Sequence, residues 1–191
     1  MLSLFHRGWR AVEWAVRSIF PALRPAPVSA ALKRGSAIRD YFSGTYVNGV
    51  DAKHRLSVPA PLRDTIEARS GTKALILGPS DDAPCLIGYD LSHFERMEAR
   101  LAAQFAGDFG PGRATKARSM FGLTEQMRYD DTGRIILSPV MRDLGTINGR
   151  VVFLGVGDYF EIWSPDVLMA QDGLDPRVVR VVNALLAGKS G

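Results

Sequence analysis

Apolar and polar positions follow the same order twice along this chain of 191 residues. The stretch DAKHRLSVPAPLRD at 51–64 aligns without gaps to DDTGRIILSPVMRD at 130–143. In both copies, short runs before the aspartate and after the arginine predict two β-strands around a tight turn, and a proline then marks the start of a short helix. Two apolar runs and another helical segment follow in each copy. The pattern therefore predicts the order strand, turn, strand, helix, strand, strand, helix twice.

The two copies predict one shared α+β fold. Two-stranded ribbons of short strands are only marginally stable in water, so each copy needs the other to cover its apolar face. We expect a small mixed barrel with internal two-fold pseudosymmetry, in which the turns at Asp51 and Asp130 lie at one edge. The predicted segments are an N-terminal basic amphipathic extension and linker (1–41), a first repeat (42–106), a connecting loop and helix (107–122), a second repeat (123–170) and a C-terminal helix (171–191).

The positive charge of the chain is concentrated at its N-terminus. The formal net charge is +4, and residues 1–41 carry seven basic against two acidic side chains, which leaves the repeats near neutral. Bulk charge therefore gives no argument for nucleic-acid binding. Apolar residues between Phe5 and Leu23 recur at helical spacing, which is typical of a membrane-surface helix, a partner helix or a loosely ordered extension. We favour the extension, and expect no membrane contact from residues 1–24.

Composition argues against an enzyme. The single cysteine and three widely spaced histidines offer neither a set of metal ligands nor a nucleophile with its activating base. We therefore expect no catalytic residue, no metal, no cofactor and no small-molecule substrate. No uninterrupted apolar run reaches the roughly 18 to 20 residues that span a bilayer, and the pattern of a secretory signal is missing. The sequence thus predicts a cytoplasmic protein.

Each copy contains the spacing Asp-x-x-x-Arg, as Asp51 with Arg55 and as Asp130 with Arg134. An aspartate that opens a tight turn accepts hydrogen bonds from the backbone N–H groups ahead of it, and the arginine then begins a strand from a fixed backbone. A guanidinium on a protruding ribbon can donate two hydrogen bonds to O6 and N7 of guanine in the major groove. The pair can equally be an ion pair that braces the turn. The residues alone leave both interpretations open.

Further polar side chains in and near the turns complete the candidate site. Lys53 and His54 at the first tip add donors toward phosphates or bases, and Thr132 adds a hydroxyl at the second. Gly133 permits a positive φ that His54 tolerates less well. One arginine on each short helix can contact phosphate or pair with a carboxylate, and we favour the ion pair. The candidate DNA-binding residues are Asp51, Lys53, His54, Arg55, Asp130, Thr132, Gly133 and Arg134, with Arg63 and Arg142 as candidate phosphate contacts.

These motifs resemble the MraZ family over about residues 42–170. The resemblance is carried by FSGTY at 42–46, by the two aspartate-to-arginine turns and by VGDYFEIW at 156–163. It implies a fold similar to the AbrB transition-state regulators, an internally duplicated swapped-hairpin β-barrel with short flanking helices. It also implies a sequence-specific transcriptional regulator on the nucleoid, a repressor of the bacterial division and cell-wall gene cluster that includes its own promoter. The turns are the implied DNA contacts.

The resemblance also implies an assembly, and this sequence differs from the family pattern at two positions. The resemblance implies a ring-shaped homo-oligomer that binds double-stranded DNA at tandem promoter repeats. Several linked copies would bind repeated half-sites more tightly than one copy, through avidity. His54 stands where the family commonly has glycine, and Ser138 stands where it commonly has proline. The alternative class is an antitoxin-like or scaffold module that binds protein first and DNA second. Its affinity would depend far less on salt than that of a phosphate-contacting protein.

Overall fold

A computed structural model of the chain describes residues 41–106 and 110–188, in which eight strands and six helices are present. Residues 1–40, which carry the predicted basic extension, lie outside the described part. The strands are β1 (Thr45–Gly49), β2 (Arg55–Ser57), β3 (Ala74–Pro79), β4 (Leu86–Asp90), β5 (Glu125–Arg128), β6 (Arg134–Ile136), β7 (Arg150–Gly155) and β8 (Phe160–Trp163). The helices are α1 (Ala60–Ser70), α2 (Leu91–Gln104), α3 (Pro111–Phe121), α4 (Pro139–Leu144), α5 (Pro165–Met169) and α6 (Pro176–Gly188).

Six of the strands form an antiparallel sheet in the order β1, β7, β8, β4, β3, β5. β1 pairs with β7, β5 pairs with β3, and β4 pairs with β8 in the middle. Each strand that precedes a candidate turn therefore lies against a strand from the other half of the chain. The two halves depend on each other for hydrogen bonds as well as for apolar contacts.

The closed barrel expected from the sequence is wrong, whereas the α+β class is confirmed. Among the described residues, β1 and β5 are the outer strands of the sheet, and β2 and β6 pair with each other as a separate ribbon. β2 and β6 contain three residues each and pair with each other, and neither forms a ladder with an outer strand of the six-stranded sheet. A bridge between Val50 and Leu56 links the end of β1 to β2. The ribbon therefore lies beside an open sheet.

The main core lies between one face of the sheet, the inner face of the ribbon and helices α1 and α4. The rings of Phe42 and Phe160 meet edge to face with centroids 5.2 Å apart, and Phe153 lies 6.1 Å from Phe160. Gly88 faces the Phe160 ring so closely that a Cβ at this position would overlap it. Because both halves of the chain supply these side chains, the ribbon is anchored in a core that neither half forms alone.

The second face of the sheet is covered by α6. Val182 is buried there, in a smaller cluster with Val47, Val152 and Trp163. The C-terminal helix thus covers β1 and β7 on the side away from the main core. Within residues 41–106 and 110–188, every helix falls short of the length and apolarity that crossing a membrane requires.

Candidate nucleic-acid interface

The candidate arginines lie on the outer face of the ribbon formed by β2 and β6. Leu56 stands opposite Ile135 in the antiparallel pair, and both side chains are buried. Because side chains alternate between the two faces of a strand, Arg55 and Arg134 project from the opposite face. Their side chains are 33% and 36% exposed. Both guanidinium groups therefore reach solvent from the same surface.

The first turn is held by the carboxylate of Asp51. One oxygen, Oδ1, accepts hydrogen bonds from the backbone N–H groups of Lys53 at 2.8 Å and Arg55 at 3.0 Å. The other oxygen, Oδ2, accepts from Nε of Arg55 at 2.7 Å. In the described part of the chain, the Nη groups of Arg55 have no hydrogen-bond partner. The ion pair thus braces the turn and still leaves donors that point toward solvent.

The second turn repeats this arrangement around Asp130. Its Oδ1 accepts from the backbone N–H groups of Thr132 and Arg134, each at 2.9 Å. Nε and Nη2 of Arg134 contact Oδ2 at 3.0 and 2.9 Å. The hydroxyl of Thr132 donates to Oδ1 at 2.6 Å. Thr132, which was expected to add a hydroxyl at the second tip, donates that hydroxyl to the aspartate of its own turn.

The two tips share one backbone conformation although their residues differ. His54 has φ of 59° and Gly133 has φ of 79°, both in the left-handed region that favours glycine. The N–H of His54 donates to the carbonyl of Asp51, and that of Gly133 to the carbonyl of Asp130, both at 2.8 Å. The hydrogen bonds of each aspartate fix the path of the chain, so histidine adopts the glycine-like conformation.

Hydrogen bonds between the halves connect the two turns. The N–H of Val58 donates to the carbonyl of Gly133 at 2.8 Å, and the N–H of Leu137 donates to the carbonyl of His54 at 2.9 Å. Each tip is therefore tied to the residue that follows the other strand of the ribbon. Together with the pairing of β2 and β6, these hydrogen bonds fix the separation of the two candidate arginines.

In the described residues, the arginines on the short helices do not form the ion pairs that the sequence predicted for them. Nε of Arg63 donates to the carbonyl of Val58 at 3.1 Å, and its guanidinium lies 6.0 Å from the centroid of the Tyr129 ring. The same side chain packs against Gly133. In the described residues, neither Arg63 nor Arg142 has a carboxylate within ion-pair distance, and Nε of Arg142 is buried without a hydrogen-bond partner. Arg63 therefore packs against the second turn at Gly133.

A shallow cleft beside the ribbon is lined by both site arginines, by Asp130 and by five residues that the sequence did not indicate, four from β5 and one from β6. Gln126 and Arg128 reach it from β5, and Ile136 reaches it from β6. Gln126 and Arg128 are exposed, and Ile136 is 68% exposed. Side chains along a strand alternate between its two faces, so Ile136, which follows the buried Ile135, lies on the outer face. This alternation was the signal in the sequence that could have indicated it.

The charges around the turns are nearly balanced by local ion pairs. Asp131 is 98% exposed and pairs with Nζ of Lys73 at 3.2 Å. The aspartate that opens each turn is balanced by its own arginine. Lys53 and Arg128 are exposed in addition. The surface therefore carries a small positive excess, and specific donors matter more than the bulk field.

Two other reactive side chains in the described residues, Cys85 and His93, are buried and take part in packing. Burial raises the pKa of the Cys85 thiol to about 12, so the thiolate is scarce at neutral pH. His93 stacks on Tyr89 with ring centroids 5.1 Å apart, and burial lowers its pKa. Residues 41–106 and 110–188 contain no cluster of three or more His, Cys, Asp or Glu side chains able to hold a metal ion.

Acid is expected to loosen both turns only below the ordinary pKa of an aspartate. The backbone N–H of Arg55 is the main cause that lowers the pKa of Asp51. The Thr132 hydroxyl is the main cause that lowers the pKa of Asp130, and this pKa is lowered more than that of Asp51. A carboxylate with a lowered folded-state pKa stabilises the folded turn above its ordinary value of 3.8, and this stabilisation is lost as the pH falls through the folded-state pKa. The amide NMR shifts of Lys53 and Thr132 should therefore titrate with midpoints below 3.8, and the midpoint of Thr132 should be the lower of the two. Midpoints at the ordinary aspartate pKa for both would contradict this.

These observations define a class: an α+β protein that presents two aspartate-braced arginines on one face of a ribbon shared by both halves of the chain. A family model described as "MraZ protein, putative antitoxin-like" matches residues 120–167. A protein of Azorhizobium caulinodans named "Transcriptional regulator MraZ" is 34% identical over 152 residues, which are 80% of this chain and 95% of that protein. A protein of the same name from Rhodospirillum rubrum is 32% identical over 143 residues, 74% of this chain and 91% of that protein. The chain belongs to the MraZ family.

Proposed function

We propose that this protein is a sequence-specific DNA-binding transcriptional regulator that contacts major-groove base edges through Arg55 and Arg134. The observation that carries the proposal is the exposure of two guanidinium groups on one ribbon face, each held by its own aspartate. The names of the relatives, which are called transcriptional regulators, support it. Its target is the division and cell-wall gene cluster including its own promoter, which it represses.

The ribbon has the shape that this role requires. The major groove of B-DNA admits a two-stranded β-ribbon, and an arginine that donates two hydrogen bonds to guanine is the commonest specific contact. Arg55 uses Nε for Asp51 and keeps both Nη groups for an acceptor, whereas Arg134 keeps Nη1 and the second N–H of Nη2. Side chains held in place before binding lose less conformational freedom when they bind. The ion pair that braces each turn therefore also prepares its arginine for recognition.

The remaining candidate residues divide into contacts and supports. The exposed side chains of Lys53 and His54 contact phosphate or base edges at the first tip. Thr132 and Gly133 maintain the shape of the second tip, and Arg63 supports it. Arg142 remains a candidate phosphate contact.

The strand exchange between the two halves of the chain supports an AbrB-like swapped-hairpin arrangement. On this view 42–106 and 123–170 are the two repeats, 107–122 connects them, and 171–191 adds a covering helix. We propose that copies associate into a ring on the nucleoid in the cytoplasm and bind tandem repeats. One ribbon offers only two specific arginines, so linked copies on adjacent boxes would raise the affinity without new kinds of contact.

A footprint on the DNA upstream of the gene tests this function. Purified protein should protect a set of repeated boxes about one helical turn apart, and the pattern should persist against excess unrelated DNA. Uniform weak protection, or none, would contradict the proposal.

The family description also favours a second candidate, an antitoxin-like module that binds a protein partner. The two functions differ in their salt response. Binding that neutralises phosphates loses affinity with a slope of about −0.9 per phosphate in a plot of log K against log salt. We expect a steep slope for the footprinted DNA, measured by fluorescence anisotropy between low and physiological salt. A nearly flat slope would favour the protein-binding candidate.

A further inference from the structure

The outer face of the ribbon is less symmetric than its arginines suggest. In the antiparallel pairing of β2 and β6, Arg55 stands opposite Ile136, and Arg134 stands opposite Ser57. Ser57 and Ile136 occupy equivalent positions, two residues after the arginine of their own strand. The arginines therefore match between the two halves, whereas the residues beside them are a small hydroxyl and a large aliphatic side chain.

Ile136 is exposed to an unusual degree for its size. It is 68% exposed, more than any other large hydrophobic side chain in the described ranges, whereas its neighbour Ile135 is 1% exposed. Its side chain lies in the same cleft as Arg55 and Arg134. The free energy falls when a partner covers exposed aliphatic surface and removes it from water. Asp130 and Glu125 also line the cleft, but the Nη donors that the two arginines keep free favour a partner with acceptor groups beside an apolar group.

We propose that Ile136 is a specificity-determining residue that contacts the methyl group of a thymine next to the base bound by Arg55. This inference rests on the proposed function, because it places the outer face of the ribbon in the major groove. In that groove, the methyl group of thymine is the apolar feature among the acceptors and donors of the base edges, and aliphatic side chains recognise it by contact. Arg55 lies directly across the ribbon from Ile136, so the two side chains would meet neighbouring bases.

The contact gives a pseudosymmetric ribbon a direction on DNA. Ser57, beside Arg134, can donate to or accept from several bases and favours none through an apolar contact. The half of the box under Arg55 and Ile136 should therefore require a thymine, and the half under Arg134 and Ser57 should not. Such a box has two different ends, which suits direct repeats better than palindromes.

Replacing each thymine of one footprinted box by uracil, one at a time, tests the inference because uracil lacks only the methyl group. For the wild-type protein, one replacement should weaken binding about fourfold, the factor that corresponds to about 0.8 kcal/mol for one buried carbon group. Ile136→Ser should bind the thymine and uracil boxes equally. Val181→Ser is the matched control, since Val181 is 45% exposed and lies on α6, which covers the other face of the sheet. It should keep the fourfold difference.

The inference is overturned if no uracil replacement affects the wild-type protein, or if Ile136→Ser remains as sensitive as the wild type. Both results are separable from a failure of the proposed function, in which the wild-type protein would distinguish its box from scrambled DNA no better than Arg55→Ala does. Thermal unfolding of Ile136→Ser should match that of the wild type, because the side chain is largely exposed.

Discussion

Replacing Arg55 or Arg134 by alanine is expected to weaken specific DNA binding about ten- to hundredfold, the range that corresponds to one lost bidentate contact. Both arginines lie on the outer face of the ribbon, and their aspartates fix their direction. Binding to scrambled DNA should change little, because that binding depends on phosphates rather than base edges. The measurement is titration of labelled box and scrambled duplexes at one salt concentration, followed by fluorescence anisotropy.

Arg177→Ala provides the matched control for these variants. Arg177 forms a similar exposed ion pair with Asp175, with Nη2 and Oδ2 at 2.6 Å, at the beginning of α6 and away from the ribbon. Its removal should leave both titrations unchanged. If Arg55→Ala and Arg134→Ala unfold or aggregate, or if they bind the box as tightly as the wild-type protein, the pairs act only as braces for the turns.

Replacing Asp90 by alanine is expected to lower the free energy of unfolding by about 3 to 5 kcal/mol, the usual cost of breaking a buried ion pair from one side. The Asp90 side chain is fully buried, and its Oδ1 lies 2.9 Å from Nε of Arg69, which is itself 11% exposed. Oδ2 accepts hydrogen bonds from the Ser92 hydroxyl and from the N–H of His93 at 3.3 Å, at the start of α2. The variant would leave Nε of the largely buried Arg69 without its carboxylate partner, while Nη1 still donates to the carbonyl of Asp158 at 3.2 Å, and it would remove the cap of α2.

The loss of stability is measured by urea denaturation of Asp90→Ala beside Asp175→Ala. Asp175 also opens a helix and also pairs with an arginine, but the pair is exposed, and solvent screens such interactions. We expect a clearly smaller shift of the urea midpoint for Asp175→Ala. Equal shifts for the two variants would show that burial of the Asp90 pair contributes nothing special to the fold.

The turns could be predicted from the sequence because their interactions are local. Asp51 binds N–H groups two and four residues ahead, and Asp130 does the same, so the residue types and their spacing determine the geometry. The repeat at an offset of 79 residues also indicated that the two arginines belong to equivalent elements. The side on which they project follows from strand alternation around the buried Leu56.

The sheet and the supporting contacts could not be predicted in the same way, because they depend on pairing between distant segments. The open sheet follows from the pairing of β1 with β7 and of β5 with β3, and register between strands is set by the whole packed face. Arg63 has a backbone carbonyl and a tyrosine ring as neighbours instead of a carboxylate, which no spacing in the sequence indicates. Strand alternation after Ile135 could have indicated that Ile136 is exposed, but its position opposite Arg55 depends on the pairing of β2 with β6.

The central claim is that Arg55 and Arg134 donate hydrogen bonds to guanine, and a double-mutant cycle with 7-deazaguanine tests it most directly. This base lacks the N7 acceptor and is otherwise unchanged. We expect one guanine position at which the substitution weakens wild-type binding about tenfold but leaves binding of Arg55→Ala unaltered, and a second position with the same relation to Arg134→Ala. Fully additive losses at every guanine would contradict the claim, because each arginine and each N7 would then act independently.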